Sequence, residues 1–506
     1  MLTKAKIKEI LSSRIEEIDS LSIPHFSLLS DIKKAAKRIK KAIQNNEKII
    51  IVGDYDVDGV SSSAVMHLFL SEIYNNFEIK IPNRFKHGYG LSPKLLEEID
   101  ADLIITVDNG ISSFKAAEIC KQRGIDLIIT DHHTPSEILP EAYAIVNPKT
   151  SPDFPFKEIC GAEVAWYLCA ALKHEMKLKK DLREFLDIVA IAIIADVMPL
   201  QNMNRVLVNM GLKRLNRAIS PFAKAIKRFF NNEIKSVDIA FNIAPRLNAA
   251  GRMDDANIAF KFLISKDENE AYRLYLELDK LNNLRKETEK NIIENIEIEE
   301  DNFILVKGDY HEGVIGIIAS RLVHKHNKPA IVFSKNGDLL KGSGRSLGNI
   351  DIFELVSECE ELLEGFGGHK LACGLNIKEE KFELLKRKLN EKIKKYNEKD
   401  FFIEDFVLGE IAFSEIDMEL LDILNSFEPY GEGNPKPKFI STAKIEHIQN
   451  LKENHYKLIL SQNDIYLPAV IFRYDWEFDE IITFKFSIEE NNFRGRTIQL
   501  MIEEIL

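Results

Sequence analysis

With 506 residues, 45% hydrophobic and 29% charged, the chain is too long for one ordinary core and has the composition of a water-soluble set of two to four domains. No apolar run reaches the roughly 18–20 residues of a membrane span, and the longest candidate, 188–200, is short and carries Asp196. A formal net charge of −12 argues, taken alone, against nucleic-acid binding.

Residues 1–19 are amphipathic and charged and lack the apolar centre of a signal peptide. From about 31 to 200, Ile- and Val-rich runs near 48–53, 79–82, 102–107, 126–130 and 144–146 alternate with helix-like stretches at 61–76, 92–99, 112–123 and 162–175. Alternation of this kind predicts an α/β domain with a mainly parallel sheet. Between 205 and 261 basic residues crowd, among them Arg205, Arg214, Lys235, Arg246 and Arg252, against only Glu233, Asp238, Asp254 and Asp255. Such a zone either holds a polyanion or forms a solvated helical face. Residues 267–298 contain no Gly or Pro and space Leu274, Leu278, Leu281 and Leu284 helically, which predicts a long connecting helix. A second α/β pattern follows, and then short runs and turns such as PYGEGNPKP (429–437) that suggest a small β-barrel or sandwich. The five cysteines form no CxxC pair, so a reducing, cytoplasmic setting fits.

Three of the apolar runs end in acidic residues: KIIIVGDYDVDG (48–59), DLIITVDNG (102–110) and DLIITDHHTP (126–135). In parallel sheets, ligands bind beyond the carboxyl ends of the strands. In an extended segment Asp54, Asp56 and Asp58 point the same way, and like charges so placed repel unless a cation neutralises them. Gly59 then permits a turn, and Ser61, Ser62 and Ser63 open a helix, as caps or as phosphate contacts. Asp108 and Asp131 sit at equivalent strand ends, and His132 and His133 add imidazoles. One Asp-rich loop is often only a solvated turn; three in succession, one with Asp-His-His, point to a divalent-cation site. Mixed carboxylate and imidazole donors suit Mn²⁺, whereas Mg²⁺ prefers oxygen alone.

These segments resemble, in order, the first three motifs of the DHH phosphoesterase superfamily, and Asp196 in AIIADVMPL resembles the fourth. Beyond them, APRLNAAGRMDDA (244–256), HEGVIGIIASRLVHKHNKPAIVFS (311–334), GSGRS (342–346), GFGGHKLACG (365–374) and PYGEGNPKPKF (429–439) are similar to the RecJ family of bacterial single-strand DNA exonucleases. The resemblance covers nearly the whole chain. It implies an N-terminal helical segment (1–30), a DHH catalytic domain (31–230) and a linker with a basic motif and the long helix (231–300). A DHHA1 substrate-binding domain (301–398) and an OB-like β-barrel (399–506) complete the expectation.

The family's chemistry implies two divalent cations, Mn²⁺ or Mg²⁺, bridged by Asp108. Asp56, Asp58, His132 and Asp196 would complete the coordination, with Asp54 as ligand or close neighbour. Asp131 would orient an imidazole, and His133 would stabilise phosphate charge or protonate the leaving oxygen. Arg252, Ser343 and Arg345 match positions expected to hold substrate phosphates. Gly368 would let the strand approach the backbone closely, and His369 lies in a motif that the resemblance turns toward the catalytic cleft. Phe427 and Tyr430 are read as packing residues. The implied reaction is 5′→3′ removal of nucleoside 5′-monophosphates from single-stranded DNA in repair and recombination. The implied partners are single-stranded DNA, a single-strand-binding protein and a helicase, with a monomeric enzyme and no membrane. Ile193 and Ile194 before Asp196 are bulkier than in many relatives, which implies a packing change only. The rival readings are an oligonucleotide or cyclic-dinucleotide phosphodiesterase of the same superfamily, a scaffold that has lost its ligands, and a dinucleotide-binding oxidoreductase. The C-terminal region, the intact ligand set and the absence of GxGxxG after the first strand disfavour them in turn.

Overall fold

The computed structural model describes residues 1–15, 23–402, 406–452, 454–474, 477–491 and 495–506. The chain divides into two compact units, one built from residues 1–80, 90–243 and 405–506, the other from 81–89 and 244–404.

The first unit contains a parallel sheet of β1 (Ile49–Val52), β2 (Phe77–Lys80), β3 (Leu103–Val107), β4 (Asp126–Thr130) and β5 (Ala144–Val146) in the order β2-β1-β3-β4-β5. Every residue of β1 and β3 is buried, as unbroken Ile/Val runs require when both faces of a parallel sheet are covered. Four helices matter for the site: α1 (Val57–Leu70), α2 (Gly161–Met176), α3 (Leu186–Ala195) and α4 (Asn202–Asn216). Helix α3 is apolar on every side but for Asp187 and is buried from Leu186 to Ile194, so the helical part of the 188–200 run is core. Among the described residues no helix is long and apolar enough to cross a membrane.

The helix expected at 61–76 begins four residues earlier, at Val57, and ends at Leu70. Its N-cap is Asp56, whose Oδ1 accepts from the Gly59 N–H at 3.1 Å. Ser61, Ser62 and Ser63 therefore do not cap it; they lie wholly buried inside it. Gly59 is no turn either. A Cβ there would stand 2.5 Å from the Asp54 nitrogen, so glycine lets α1 pack directly on the acidic loop. The strand expected at 79–82 occupies 77–80, ending before Pro82, which has no N–H for a ladder. The helix expected at 92–99 is one turn, Pro93–Leu96.

The second unit holds the long helix α5 (Glu268–Asn295). Its buried stripe is Ala271, Tyr275, Leu278, Asn282 and Glu289, whereas Leu284 is 49% exposed. Glu289 is ion-paired with Arg285 and, at 2.8 Å, with Arg321. Beyond α5 come β6 (Ile304–Gly308), α6 (Ile315–His326), β7 (Ala330–Asn336), β8 (Leu339–Arg345), β9 (Leu363–His369) and β10 (Ala372–Lys378), with sheet order β6-β7-β8-β10-β9.

The C-terminal strands return to the first unit. β11 (Val407–Glu410), β12 (Lys438–Lys452), β13 (His455–Gln462), β14 (Ile465–Ile471), β15 (Ile481–Asn491) and β16 (Thr497–Ile505) run β11-β12-β13-β14-β16-β15, and β12 also pairs with β15. That last pairing closes the sheet into a barrel around Phe439, Leu458, Phe484, Phe486 and Leu500. The chain's first helix, Lys4–Ser12, completes this core with Ile7 and Leu11, and the Leu2 N–H donates to the Glu410 carbonyl at 2.6 Å.

Candidate metal centre and phosphate-binding residues

The sheet delivers its carboxylates to one place, the ends of β1, β3 and β4. Ligand atoms of Asp54, Asp56 and Asp108 lie within 4.8 Å of one another, as do those of Asp58, His132 and Asp196, and those of Asp108, His132 and His133. His132 Nε2 stands 3.2 Å from Asp108 Oδ1, 3.5 Å from Asp196 Oδ2 and 3.6 Å from Asp58 Oδ2. Asp108 thus lies between the two carboxylate groups. All eight catalytic and metal-binding candidates from the sequence except Asp131 belong to these clusters.

Asp108 sits at φ 63°, a left-handed conformation that Asp tolerates better than most residues. Asp58 Oδ2 and Oδ1 accept from the Gly161 and Ala162 N–H groups at 2.6 and 2.8 Å, so the N-terminus of α2 clamps this carboxylate. Asp131 Oδ1 accepts from the His132 and His133 N–H groups at 2.7 and 3.1 Å, and its Oδ2 from Ile111 N–H at 2.9 Å. Asp131 Oδ1 also meets His133 Nδ1 at 2.7 Å. That contact assigns the proton to Nδ1 and leaves Nε2 for a ligand or substrate.

The electrostatics describe a cage built for positive charge. Burial, and then Asp58, Asp56, Asp54 and Asp131, push Asp108 well above the ordinary carboxylate range. Burial, with Asp58 and Asp56, lifts Asp196 to about 8. Burial lowers His132, favouring the neutral imidazole a metal needs. Burial also opposes charge on His133, but the hydrogen bond and charge of Asp131 outweigh it and raise His133 to about 9. Asp131 is correspondingly held below its ordinary value, against its own burial, by His133 and the surrounding N–H groups. Crowded carboxylates take up protons when no cation is there, and a divalent cation displaces them. The buried Nε2 of His132 and Oδ2 of Asp196 make no hydrogen bond among the described residues. Mixed oxygen and nitrogen donors with spare lone pairs fit divalent transition-metal ions.

The sequence motifs assign no part to Asn109, Gly161 or Ala162. Asn109 Nδ2 donates to the Val52 and Val107 carbonyls at 3.0 and 2.9 Å and Oδ1 accepts from Leu91 N–H at 3.0 Å, tying the ends of β1 and β3 together. A Cβ on Gly161 would stand 2.5 Å from Asp108 Cβ. The small pair Gly161-Ala162 ahead of an apolar helix was the available signal.

In the second unit, Arg252, Ser343 and Arg345 gather at the start of α6. Arg252 Nη1 donates to the Gly313 carbonyl at 3.3 Å, and Arg345 Nη1 donates to Ser343 Oγ at 3.2 Å. A Cβ on Gly316 would lie 3.0 Å from Ser343 Oγ and 3.1 Å from Arg345 Nη2. Arg345 pairs with Ala372, which pairs with His369, so His369 shares its row two strands away and is exposed. Gly368, at φ 153°, pairs with Cys373 in the neighbouring row.

Much of the basic zone is spent inside the protein. Arg214 Nε lies 3.4 Å from Asp187, Lys235 Nζ 2.8 Å from Glu428 and Arg246 Nη2 2.8 Å from Asp279, while Arg205 binds main-chain carbonyls. Each of these four residues is thus engaged by the fold itself, although Lys235 keeps 38% of its side chain exposed.

The chain matches the DHH family N-terminal domain over residues 48–193, the DHHA1 domain over 300–395 and the RecJ OB domain over 409–504. It is 34% identical to the single-stranded-DNA-specific exonuclease RecJ of Haemophilus influenzae, covering 94% of this chain and 91% of that protein. The protein of the same name from Escherichia coli is 33% identical, with 94% and 90% covered. Among solved structures, RecJ of Thermus thermophilus in complex with Mn²⁺ superposes with a TM-score of 0.83 at 29% identity, over 94% of this chain and 72% of that one. An exonuclease RecJ bound to manganese gives a TM-score of 0.66 at 32% identity, over 73% and 96%.

Proposed function

Because the chain belongs to the RecJ family, whose named members are single-stranded-DNA-specific exonucleases, we propose that it is a metal-dependent exonuclease that shortens single-stranded DNA from the 5′ end, releasing nucleoside 5′-monophosphates. The observation that carries this reading is the convergence of Asp54, Asp56, Asp58, Asp108, His132 and Asp196 beyond the ends of the strands in a chain whose similarity to RecJ covers 94% of its length. Two divalent cations, Mn²⁺ or Mg²⁺, would be held here by Asp56, Asp58, Asp108, His132 and Asp196, with Asp54 as ligand or close neighbour and Asp108 the residue common to both groups. When bound, the pair supplies an acidified water and neutralises charge on the attacking and leaving oxygens.

The chain's own residues supply the rest. Asp131 fixes the ring of His133, whose raised proton affinity suits it to stabilise phosphate charge or to hold a proton for the leaving oxygen. Arg252, Ser343 and Arg345 bind phosphates of the strand, Gly368 admits its backbone, and His369 contacts it nearby. The enzyme works as a cytoplasmic monomer in repair and recombination, on strands supplied by a helicase or covered by a single-strand-binding protein. A small-substrate phosphodiesterase is the less supported reading, since the closed barrel and the full-length similarity belong to RecJ.

The test uses single-stranded oligonucleotides labelled at either end, incubated with the protein in Mn²⁺ and in EDTA. Mononucleotide released first from the 5′ end, only with the cation, is the expected result. Metal-independent cleavage overturns the chemistry, and release from the 3′ end overturns the polarity.

A further inference from the structure

Asp196 is the C-terminal cap of α3, and the chain leaves it through a Schellman turn: Val197 N–H donates to the Ile194 carbonyl at 3.2 Å and Met198 N–H to the Ile193 carbonyl at 3.0 Å. The position after such a cap normally falls to glycine, because it is left-handed. Here it is Val197, at φ 56° and 61% exposed. A β-branched residue in that conformation is strained and persists only when its surroundings impose it.

Those surroundings come from the C-terminal barrel domain. Immediately after Val197 the chain is pinned to the 427–433 turn. Leu200 N–H donates to the Glu432 carbonyl at 2.7 Å, and Gln201 Nε2 to the Gly433 carbonyl at 2.8 Å. The turn lies flat on the segment, since a Cβ on Gly431 would come within 2.8 Å of Leu200 Cδ1 and one on Gly433 within 3.1 Å of Pro199 Cβ. At the start of α4, Arg205 donates to the carbonyls of Phe427, Glu428 and Pro429 at 3.0, 2.7 and 3.3 Å. A guanidinium that binds three successive main-chain carbonyls fixes the path of the turn as well as its distance.

We propose that the 427–433 turn, held by Arg205, is a positioning device for Asp196: it keeps Val197 in its strained conformation and thereby aims the fourth carboxylate at the cation site. The C-terminal barrel then contributes to the catalytic centre through a covalent neighbour of a ligand, apart from any contact it makes with DNA. Arg205 and Gln201 act through Asp196 and touch neither cation nor substrate. The proposal rests on the reading of Asp196 as a cation ligand.

Mn²⁺ is titrated calorimetrically into the metal-free, full-length protein, at a temperature well below the unfolding midpoint of every variant. Arg205→Ala is expected to weaken binding by about tenfold or more, as loss of groups behind a ligand commonly does, and Gln201→Ala to weaken it less. Val197→Gly, which satisfies the Schellman turn without the brace, is expected to restore most of the affinity in either background. Wild-type affinity in both single variants, or weakening that Val197→Gly does not relieve, overturns the proposal. If Arg205→Ala does not fold, the Gln201→Ala pair gives the answer. If the wild-type protein itself binds no Mn²⁺, the metal reading has failed, and the brace with it.

Discussion

Asp108 and Asp187 are both buried carboxylates, and their partners make them opposite in consequence. Asp108 is crowded by like charges, so Asp108→Ala removes repulsion as well as the proposed shared ligand. Turnover should fall at least about a hundredfold, while the melting temperature of the metal-free protein holds or rises. Paired nuclease assays and thermal melts check both. Asp187 faces Arg214 and accepts from Ser220 Oγ at 3.0 Å, yet burial still lifts it to about 6. Its folded value lies above its unfolded value, so the native state holds a proton that the unfolded chain releases. Stability from this residue is therefore full below about pH 4 and is lost as pH rises through about 6, by on the order of 3 kcal/mol. In Asp187→Asn that loss should disappear, which urea unfolding of both proteins at pH 4.5 and 7 will show. Arg345, half-buried beside Ser343, carries a third expectation: Arg345→Ala weakens strand binding and flattens its log–log salt slope by about one, measured by fluorescence anisotropy.

At the scale of elements, the centre is made by helix starts meeting strand ends. The strand ends were legible in the sequence because each apolar run stops at Asp54, Asp108 or Asp131 within a residue or two. The start of α1 was not. DYDVD reads as extended by alternation, and nothing local shows that Asp56 caps a helix while Asp58 already lies within it. The start of α2 was legible to within one residue, but its task was not: its N–H groups clamp Asp58 across 103 positions of chain, a contact that no local pattern encodes. Gly161→Ala tests that junction. It adds a Cβ 2.6 Å from Asp108 Oδ1, so Mn²⁺ affinity by calorimetry should fall roughly tenfold or more. The better helix propensity of Ala, at most about 1 kcal/mol, should not compensate.

At the scale of the molecule, family motifs laid out the domains in order, and what they left unread was the return of the chain on itself. Residues 1–19 read as amphipathic, but the surface that the helix Lys4–Ser12 packs on was not legible because it is made by residues more than 400 positions away. Leu11 is wholly buried against the barrel. Leu11→Ala should therefore cost roughly 2–5 kcal/mol, concentrated in β11–β16, which hydrogen exchange would localise.

That helix also sets an order of events. During synthesis residues 2–11 leave the ribosome long before the strands they pack on, β11–β16, have been translated. Ile7 and Leu11 must stay apolar and uncovered while the α/β domains form, a situation that favours chaperone engagement of the nascent chain. Once β16 has paired, residues 7–11 and β11–β16 share one small barrel core, and the stretch of chain between them is tied off at its base.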